Sequence, residues 1–301
     1  MARIAWLVVL LGLAAPAAGR DIFVSNRGGD DRANGASATP LGLLGPVLSI
    51  RKALLVAQAG DRIVLANTGV PYREMVSLST GRHSGLSSTQ PFVIDGSGAS
   101  LDGSASVPAA AWHSAGGPLF RFRPQRMSYQ QLFRDGRPLV RRTRLPDDLD
   151  LPELEPLEWT LEQGWIYFRP EDGKLPADYA LSCCSLQTGI TLYHVHNVVI
   201  TNLTVEGFQL DGINAFDGAR GCQLVQVVAR GNGRSGVTAA GSSQLEVLGS
   251  LVGDNGWAQL FVEGLALASV RESHLLANTA PPIVRHGGRA FVDGQPAAGE
   301  R

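Results

Sequence analysis

Glu263 and His286 stand 23 residues apart, and Asp211 lies 52 residues before Glu263. Carboxylates and an imidazole are the groups that move protons in the cleavage of a sugar linkage. Arg230, Arg234 and Arg285 lie in the same part of the chain and are the cations available to act as a base. Tyr193, Asn214, Phe216, Thr238 and Phe261 are interspersed among them. Aromatic rings stack on sugar rings, and short polar side chains hydrogen-bond hydroxyls, so this set reads as a substrate-binding wall with Asp211, Glu263 and His286 as its catalytic candidates.

What would bring these residues together is a repeat. Ile190, Ile213, Val237, Leu260 and Ile283 recur at steps of 23, 24, 23 and 23, and Ile200, Leu224, Val247 and Val270 keep the same step. Apolar columns with a period in the low twenties mark a β-solenoid, in which each coil lays a short strand on the one below. Neighbouring strands lie about 4.8 Å apart and alternate residues face opposite sides. If the first column points inward, Thr191 and Tyr193, Asn214 and Phe216, Thr238 and Ala240, Phe261 and Glu263, and Val284 and His286 point outward. Tyr193 is then expected over Phe216, Glu263 over His286, and Asp211 at the edge of the face. A plain solenoid exterior, with Tyr193 and Phe216 packed under a loop, satisfies the same pattern, because stacked aromatics are good sheet pairs in their own right. Asn232, Asn255 and Asn278 form a polar column, expected to sit in left-handed conformation at a corner with their amides stacked.

Composition narrows the field. A net charge of −1 over 301 residues argues against a nucleic-acid partner. Arg3, the apolar run 4–13 and the small residues 15–19 predict a signal peptide over 1–19, hence export to the periplasm or beyond, and the run is too short to span a membrane. Three cysteines, Cys183, Cys184 and Cys222, do not make a disulfide framework. Cys222 falls in the column Val198, Cys222, Leu245, Ala268 and reads as a small buried hydrophobe; a bridge to Cys183 or to Cys184 is the alternative. No zinc set is spaced for binding. Asp30 and Asp31 would admit Ca²⁺, though such Asn/Asp/Gly loops mostly form turns. A monomer is expected.

The remaining chain supplies the supports. Residues 20–124 hold a first strand at 22–24, a helix at 46–59 that begins near Pro46 and stops at Gly60, and short strands at 62–65, 74–78, 92–95, 99–101 and 119–122. The helix would cap the raw end of the solenoid. Residues 125–182 break the rhythm with a basic run (Arg134 to Arg144), an acidic run (Asp147 to Glu158) and a hairpin formed by 159–161 and 165–168. This segment is expected to be a β-rich insertion whose charge runs form a solvated loop. Coils resume over 183–294, and 295–301 is expected to be a disordered tail.

Three stretches resemble the pectate lyase-like family of secreted right-handed parallel β-helix proteins: Phe23-Val24-Ser25 through Ala53; Ala59-Gly60-Asp61-Arg62-Ile63-Val64-Leu65 with Tyr72-Arg73-Glu74; and the coil array. The resemblance covers about two thirds of the chain. It implies an all-β, single-stranded right-handed parallel β-helix; the scaffold hosts lyases, hydrolases and epimerases, and also proteins of no known activity. Leu132-Phe133-Arg134-Asp135-Gly136-Arg137 and Gly164-Trp165-Ile166-Tyr167-Phe168 also resemble a module of secreted β-helix proteins thought to act on polysaccharides. Particular enzymes fit less well. Gln209-Leu210-Asp211-Gly212-Ile213 resembles the first catalytic segment of polygalacturonases, but Arg234 and Ser235 stand where that family has two Asp, so the acid–base carboxylate pair is missing. His286 lies in Arg285-His286-Gly287-Gly288, a poor match to their Gly-His-Gly. Calcium-dependent lyases need a Lys or Arg base and clustered Asp; the coils contain no Lys and no tight Asp cluster. The expectation is an exported protein that binds or processes polysaccharide, as a lyase or glycoside hydrolase if it is an enzyme. The alternatives are a non-catalytic adhesion scaffold and a solenoid that recognises peptides.

Overall fold

The computed structural model describes residues 19–79, 81–125, 129–144 and 150–300. The segment read as a signal peptide lies outside them, apart from Gly19, as do Asp147 and Asp148 of the acidic run. The chain coils into a parallel β-helix with three faces. The first face stacks Val76–Ser79, Ile190–Tyr193, Asp211–Asp217, Ser235–Ala239 and the first parts of Ala258–Arg271 and Ile283–Val292. The second runs from Asp21–Val24 through Arg62–Leu65, Phe92–Asp95, Val198–Thr201, Cys222–Val225 and Gln244–Leu248 to the second half of Ala258–Arg271. The third stacks Ser100–Asp102, Thr204–Glu206, Val228–Arg230, Leu251–Gly253 and His274–Leu275.

The columns read from the sequence are the register of the sheets. Ile190 pairs with Ile213, Ile213 with Val237, Val237 with Leu260 and Leu260 with Ile283. Ile200, Leu224, Val247 and Val270 pair likewise on the second face. All nine side chains lie in the core. Burying an aliphatic side chain contributes about 1.5–3 kcal/mol, so any slip of one residue would expose a whole column.

The corners have their own columns. Ser97, Asn202, Gln226, Gly249 and Glu272 all adopt positive φ at the turn from second to third face. At the turn from third to first face the left-handed residues are Gly207, Gly231 and Asp254. Asn232 and Asn255 therefore do not take the left-handed role expected of them; the residue before each does. Their amides do stack. Asn232 Nδ2 donates to Asn255 Oδ1 (3.0 Å), Asn255 Nδ2 to Gln259 Oε1 (2.8 Å), and Gln259 Nε2 to Asn278 Oδ1 (3.2 Å). Gln259 is thus a rung of the ladder. Asn232 and Asn255 are wholly buried, so each bond replaces one that water would otherwise supply.

The capping helix spans Ile50–Val56, shorter than the sequence pattern suggests. Pro46 lies before it, and Ser49 is the N-cap, its hydroxyl accepting from Lys52 N. Glu74 binds the first turn as well, accepting from Ile50 N and Arg51 N at 2.9 Å each. Asp31 accepts from Leu48 N, Ser49 N and Ser49 Oγ, and Asp30 is held by Arg32. Both loop carboxylates are therefore engaged in turn and cap contacts. The far end is capped too. Gln295–Pro296 pairs with Phe291 and Val292, and Glu300 exchanges backbone hydrogen bonds with Ile283 and Arg285. The tail expected to be disordered instead covers the last open strand, whose unpaired backbone groups need partners.

The β-rich excursion is larger than 125–182. It leaves the third face after Asp102 and returns at Ser185, where Ser185 N and Leu186 N both donate to Gly103 O. Ser104–Ser106 pairs with Leu181–Cys184, and His113–Gly116 and Leu119–Phe122 belong to its second sheet. Of these, Leu119–Phe122 is the strand the sequence places among the coils, because a short apolar run looks alike in either setting; Ser104–Ser106 and His113–Gly116 carry no apolar pattern at all. The excursion has its own core, built on Phe122, Leu132, Trp159, Ile166, Phe168 and Leu181. The expected hairpin is present, with Glu162 opposite Trp165, and Gln163 and Gly164 both at positive φ in its two-residue turn. The basic run is partly spent inside the excursion: Arg142 pairs with Glu158 at 2.6 Å, and Arg141 lies over Trp159.

All three cysteines are buried free thiols. Burial pushes Cys183 and Cys222 up to about 11 and raises Cys184 as well. No helix among the described residues is long and apolar enough to cross a membrane.

Candidate functional site

The first face carries the expected wall, with one change of direction. A Cβ on Gly212 would meet Asn232, and one on Gly236 would meet Val252 and Asn255, so these positions point inward. Ile213 and Val237 point inward as well. Two consecutive inward residues break the alternation, and Asp211 and Ser235 consequently share the outer side with Asn214 and Thr238. Hydrogen bonds three residues apart record this: Asn214 Nδ2 donates to Asp211 Oδ2 (2.8 Å), and Ser235 Oγ lies 2.6 Å from Thr238 Oγ1.

Asp211 is fully buried. Arg234, one coil on, grips it with two prongs, Nε to Oδ1 at 2.9 Å and Nη2 to Oδ2 at 2.5 Å, and Ser235 Oγ donates to Oδ1 at 2.7 Å. Burial works against the guanidinium charge, but the Asp211 hydrogen bonds outweigh it and hold Arg234 above its ordinary value. Asp211 is therefore an ion-pair partner beneath the face. Arg234 and Ser235, which stand where polygalacturonases have two Asp, occupy its oxygens together with Asn214.

Arg234 also lies over the Phe261 ring, 5.6 Å from its centre. Phe261 belongs to an aromatic group that sequence reasoning assembled only in part. Trp257 packs edge-on to Phe261 (4.8 Å) and to His286 (5.5 Å), Phe261 is edge-on to His286 (5.3 Å), and Tyr129 of the excursion stands 6.4 Å from Trp257. Trp257 is half-buried; Tyr129 and His286 are exposed. The signal for Trp257 was in the repeat, since Asp211, Arg234 and Trp257 follow one another at steps of 23. Tyr129 had no such signal, because it arrives from outside the coils. Backbone at Tyr129 sits against Gly233, and Gln131 Nε2 donates to Asp254 O, which lays this segment of the excursion along the corner beside the face.

Glu263 and His286 are register partners as expected. They form no ion pair within 4 Å; His286 turns its ring to Trp257 and Phe261, while Glu263 is half-exposed. At the other end, Tyr193 and Phe216 are both exposed and their rings are 5.8 Å apart, tilted by 46°. A register shift after Leu192 sets Tyr193 opposite Asp217. The structure thus gathers Phe261 and His286 around Trp257, keeps Tyr193 with Phe216 as a separate pair, and buries Asn214 and Thr238 beneath the surface. Arg285 is directed to the C-terminal cap, donating to Ala297 O and Gly288 O, and Arg230 is on the third face. Among the described residues no group of three His, Cys, Asp or Glu side chains is placed to hold a metal ion.

No protein-family model matches the sequence, and no curated protein matches it. Solved structures do match in fold. A glycoside hydrolase aligns with TM-score 0.58 at 12% identity over 89% of this chain and 74% of its own. The complex of XylC with xylose aligns at 0.46 and 13% over 90% of this chain, and pectate lyase Pel9A at 0.43 and 12% over 85%. The chain spans 66% of the length of the former and 54% of the latter. With the stacked parallel faces described above, the likeness to the glycoside hydrolase of TM-score 0.58 shows an all-β solenoid of the parallel β-helix type.

Proposed function

We propose that this chain binds polysaccharide along the first face. The observation that carries the reading is the pair of aromatic platforms on that one face: Tyr193 with Phe216 on its early coils, and Trp257 with His286 and Tyr129 on its late ones. Exposed rings on a solenoid exterior cost hydration without contributing to the core, so a ligand face accounts for them better than packing does. The coil rise of about 4.8 Å is close to the length of one pyranose unit, so an extended glycan running along the solenoid axis meets successive coils in step. The glycoside hydrolase of similar fold agrees with a saccharide ligand. Export through residues 1–19 would put the protein where such polymers are found.

Cleavage of the bound chain is the second reading, and the register of Glu263 on His286 favours it. With Asp211 spent on Arg234, these two are the proton-transfer groups on the late coils of this face; on its early coils His194 lies 3.9 Å from Asp217. The test is a polysaccharide panel presented to the purified protein, followed by binding and by release of reducing ends and unsaturated products. Binding should fall about fivefold or more in Trp257→Ala, given that ring stacking contributes on the order of 1–3 kcal/mol. Unchanged binding in that variant and in Phe216→Ala would remove the first face as the ligand surface and leave a scaffold role. If products form and Glu263→Gln still makes them at full rate, the cleavage reading ends.

A further inference from the structure

A second cleft lies on the opposite side of the corner, where the excursion leans over the third face. Two adjoining cavities of about 330 and 460 Å³ share Asp102, Ser104, Asp135, Gly136 and Ser182 in their walls. The floor is a charged row across stacked strands. Asp102 is the register partner of Glu206, and Glu206 of Arg230. Arg73 pairs with Asp102 at 3.1 Å, and Arg230 Nε donates to Glu206 at 2.7 Å. The roof is the hairpin of the excursion that carries Phe133, Asp135, Arg137 and Pro138.

Two features mark this as a built cleft. A Cβ on Gly231 would come within 2.9 Å of the Phe133 ring, and one on Gly207 within 2.7 Å of Asp102 Oδ1. Both residues also have positive φ, so glycine there serves the corner and clears the floor together. The Asp135 and Arg137 side chains, at the exposed hairpin tip, make no hydrogen bond or ion pair.

The charges decide the ligand class. Three carboxylates (Asp102, Asp135, Glu206) face three guanidinium groups (Arg73, Arg137, Arg230), and the two floor pairs neutralise each other. A strongly anionic or cationic ligand would meet as much repulsion as attraction. A ligand with many hydroxyls, each both donor and acceptor, fits alternating acceptors and donors, and charge-assisted hydrogen bonds are the stronger kind. Phe133 and Pro138 supply an apolar patch for the C–H face of a sugar ring. We infer that the cleft between the third face and the 132–138 hairpin is a second saccharide site, which takes an uncharged mono- or disaccharide unit. It is independent of the first-face platform and shares no residue with it.

The experiment is calorimetric titration of the full chain with neutral di- to tetrasaccharides, and with an oligouronate as the charged control. Asp135→Ala and Arg137→Ala alter only the exposed tip, and Glu206→Gln alters the floor, with thermal unfolding to confirm that each variant folds. In a Trp257→Ala background, which removes the first-face platform, neutral saccharide should still bind, and its affinity should drop about tenfold or more when Asp135→Ala or Glu206→Gln is added. Should Glu206→Gln fail to fold, Asp135→Ala and Arg137→Ala carry the test. The inference is overturned if no neutral saccharide binds, if both tip variants bind like the parent, if Trp257→Ala abolishes the binding, or if the oligouronate binds this cleft more tightly.

Discussion

Arg234 holds Asp211 across one coil of the first face through two parallel hydrogen bonds, and the carboxylate it holds is fully buried. The arrangement converts a residue that resembled a catalytic acid into a strut. It also fixes the plane of the guanidinium, whose other side lies over Phe261. A structural ion pair therefore sets the base of the aromatic platform.

Removal of one member should be costly. Asp211→Ala leaves Arg234 mostly buried without its partner, and breaking such a pair costs about 3–5 kcal/mol. The double replacement Asp211→Leu with Arg234→Met should recover most of that loss. Denaturant midpoints of the two variants provide the check; equal destabilisation in both would show that charge burial is not the cause.

The amide ladder should behave as a unit. Asn255 Oδ1 accepts from Asn232 N and Nδ2, and its Nδ2 donates to Ala229 O and Gln259 Oε1. Asn255→Leu would strand several buried groups, each worth about 1–3 kcal/mol, so a loss of at least about 3 kcal/mol is expected. Asn278→Leu, at the exposed end of the ladder, should cost far less. Similar melting temperatures for the two variants would contradict the ladder.

Val237 lies between Ile213 and Leu260 in the central column. Val237→Asp places an unpaired charge in that column, and the chain should not fold. A cooperative near-parental melting curve would sink the assigned register.

Acid should weaken the excursion. The Arg142 hydrogen bond holds the Glu158 carboxyl below its usual range. A depressed folded value means that the stabilisation is complete above the unfolded value, about 4.3, and is lost as pH falls through the folded one. Near-ultraviolet signals from Trp159 should thus be flat near neutral pH and fade below about pH 4. Arg142→Gln should destabilise the excursion near neutral pH and shrink the Glu158-linked part of that fading, and an unchanged profile would refute the link.

The thiols offer a chemical test of burial. Cys222 and Cys184 should react slowly with a thiol reagent under native conditions, because burial both blocks access and disfavours the thiolate. Rapid labelling of Cys222 in the folded protein would mean that its column is not internal.

What the sequence determined by itself was the coil. A solenoid repeats one local environment, so stacked positions must be chemically alike, and Ile190, Ile213, Val237, Leu260 and Ile283 announce their register by type and spacing alone. The same arithmetic puts Glu263 on His286 and Trp257 one coil beyond Arg234. Only the tertiary structure decided which outer residues are usable. The paired inward positions at 212–213 turn Asp211 outward and bring it under Arg234, a local break that period-two alternation does not carry. The excursion is the larger case. Its strand at 119–122 looks like a coil because short apolar runs are ambiguous. Its contacts, Tyr129 beside Trp257 and Phe133 over Gly231, join residues with no common period. Such contacts come from how two separate cores dock, and no repeat records them.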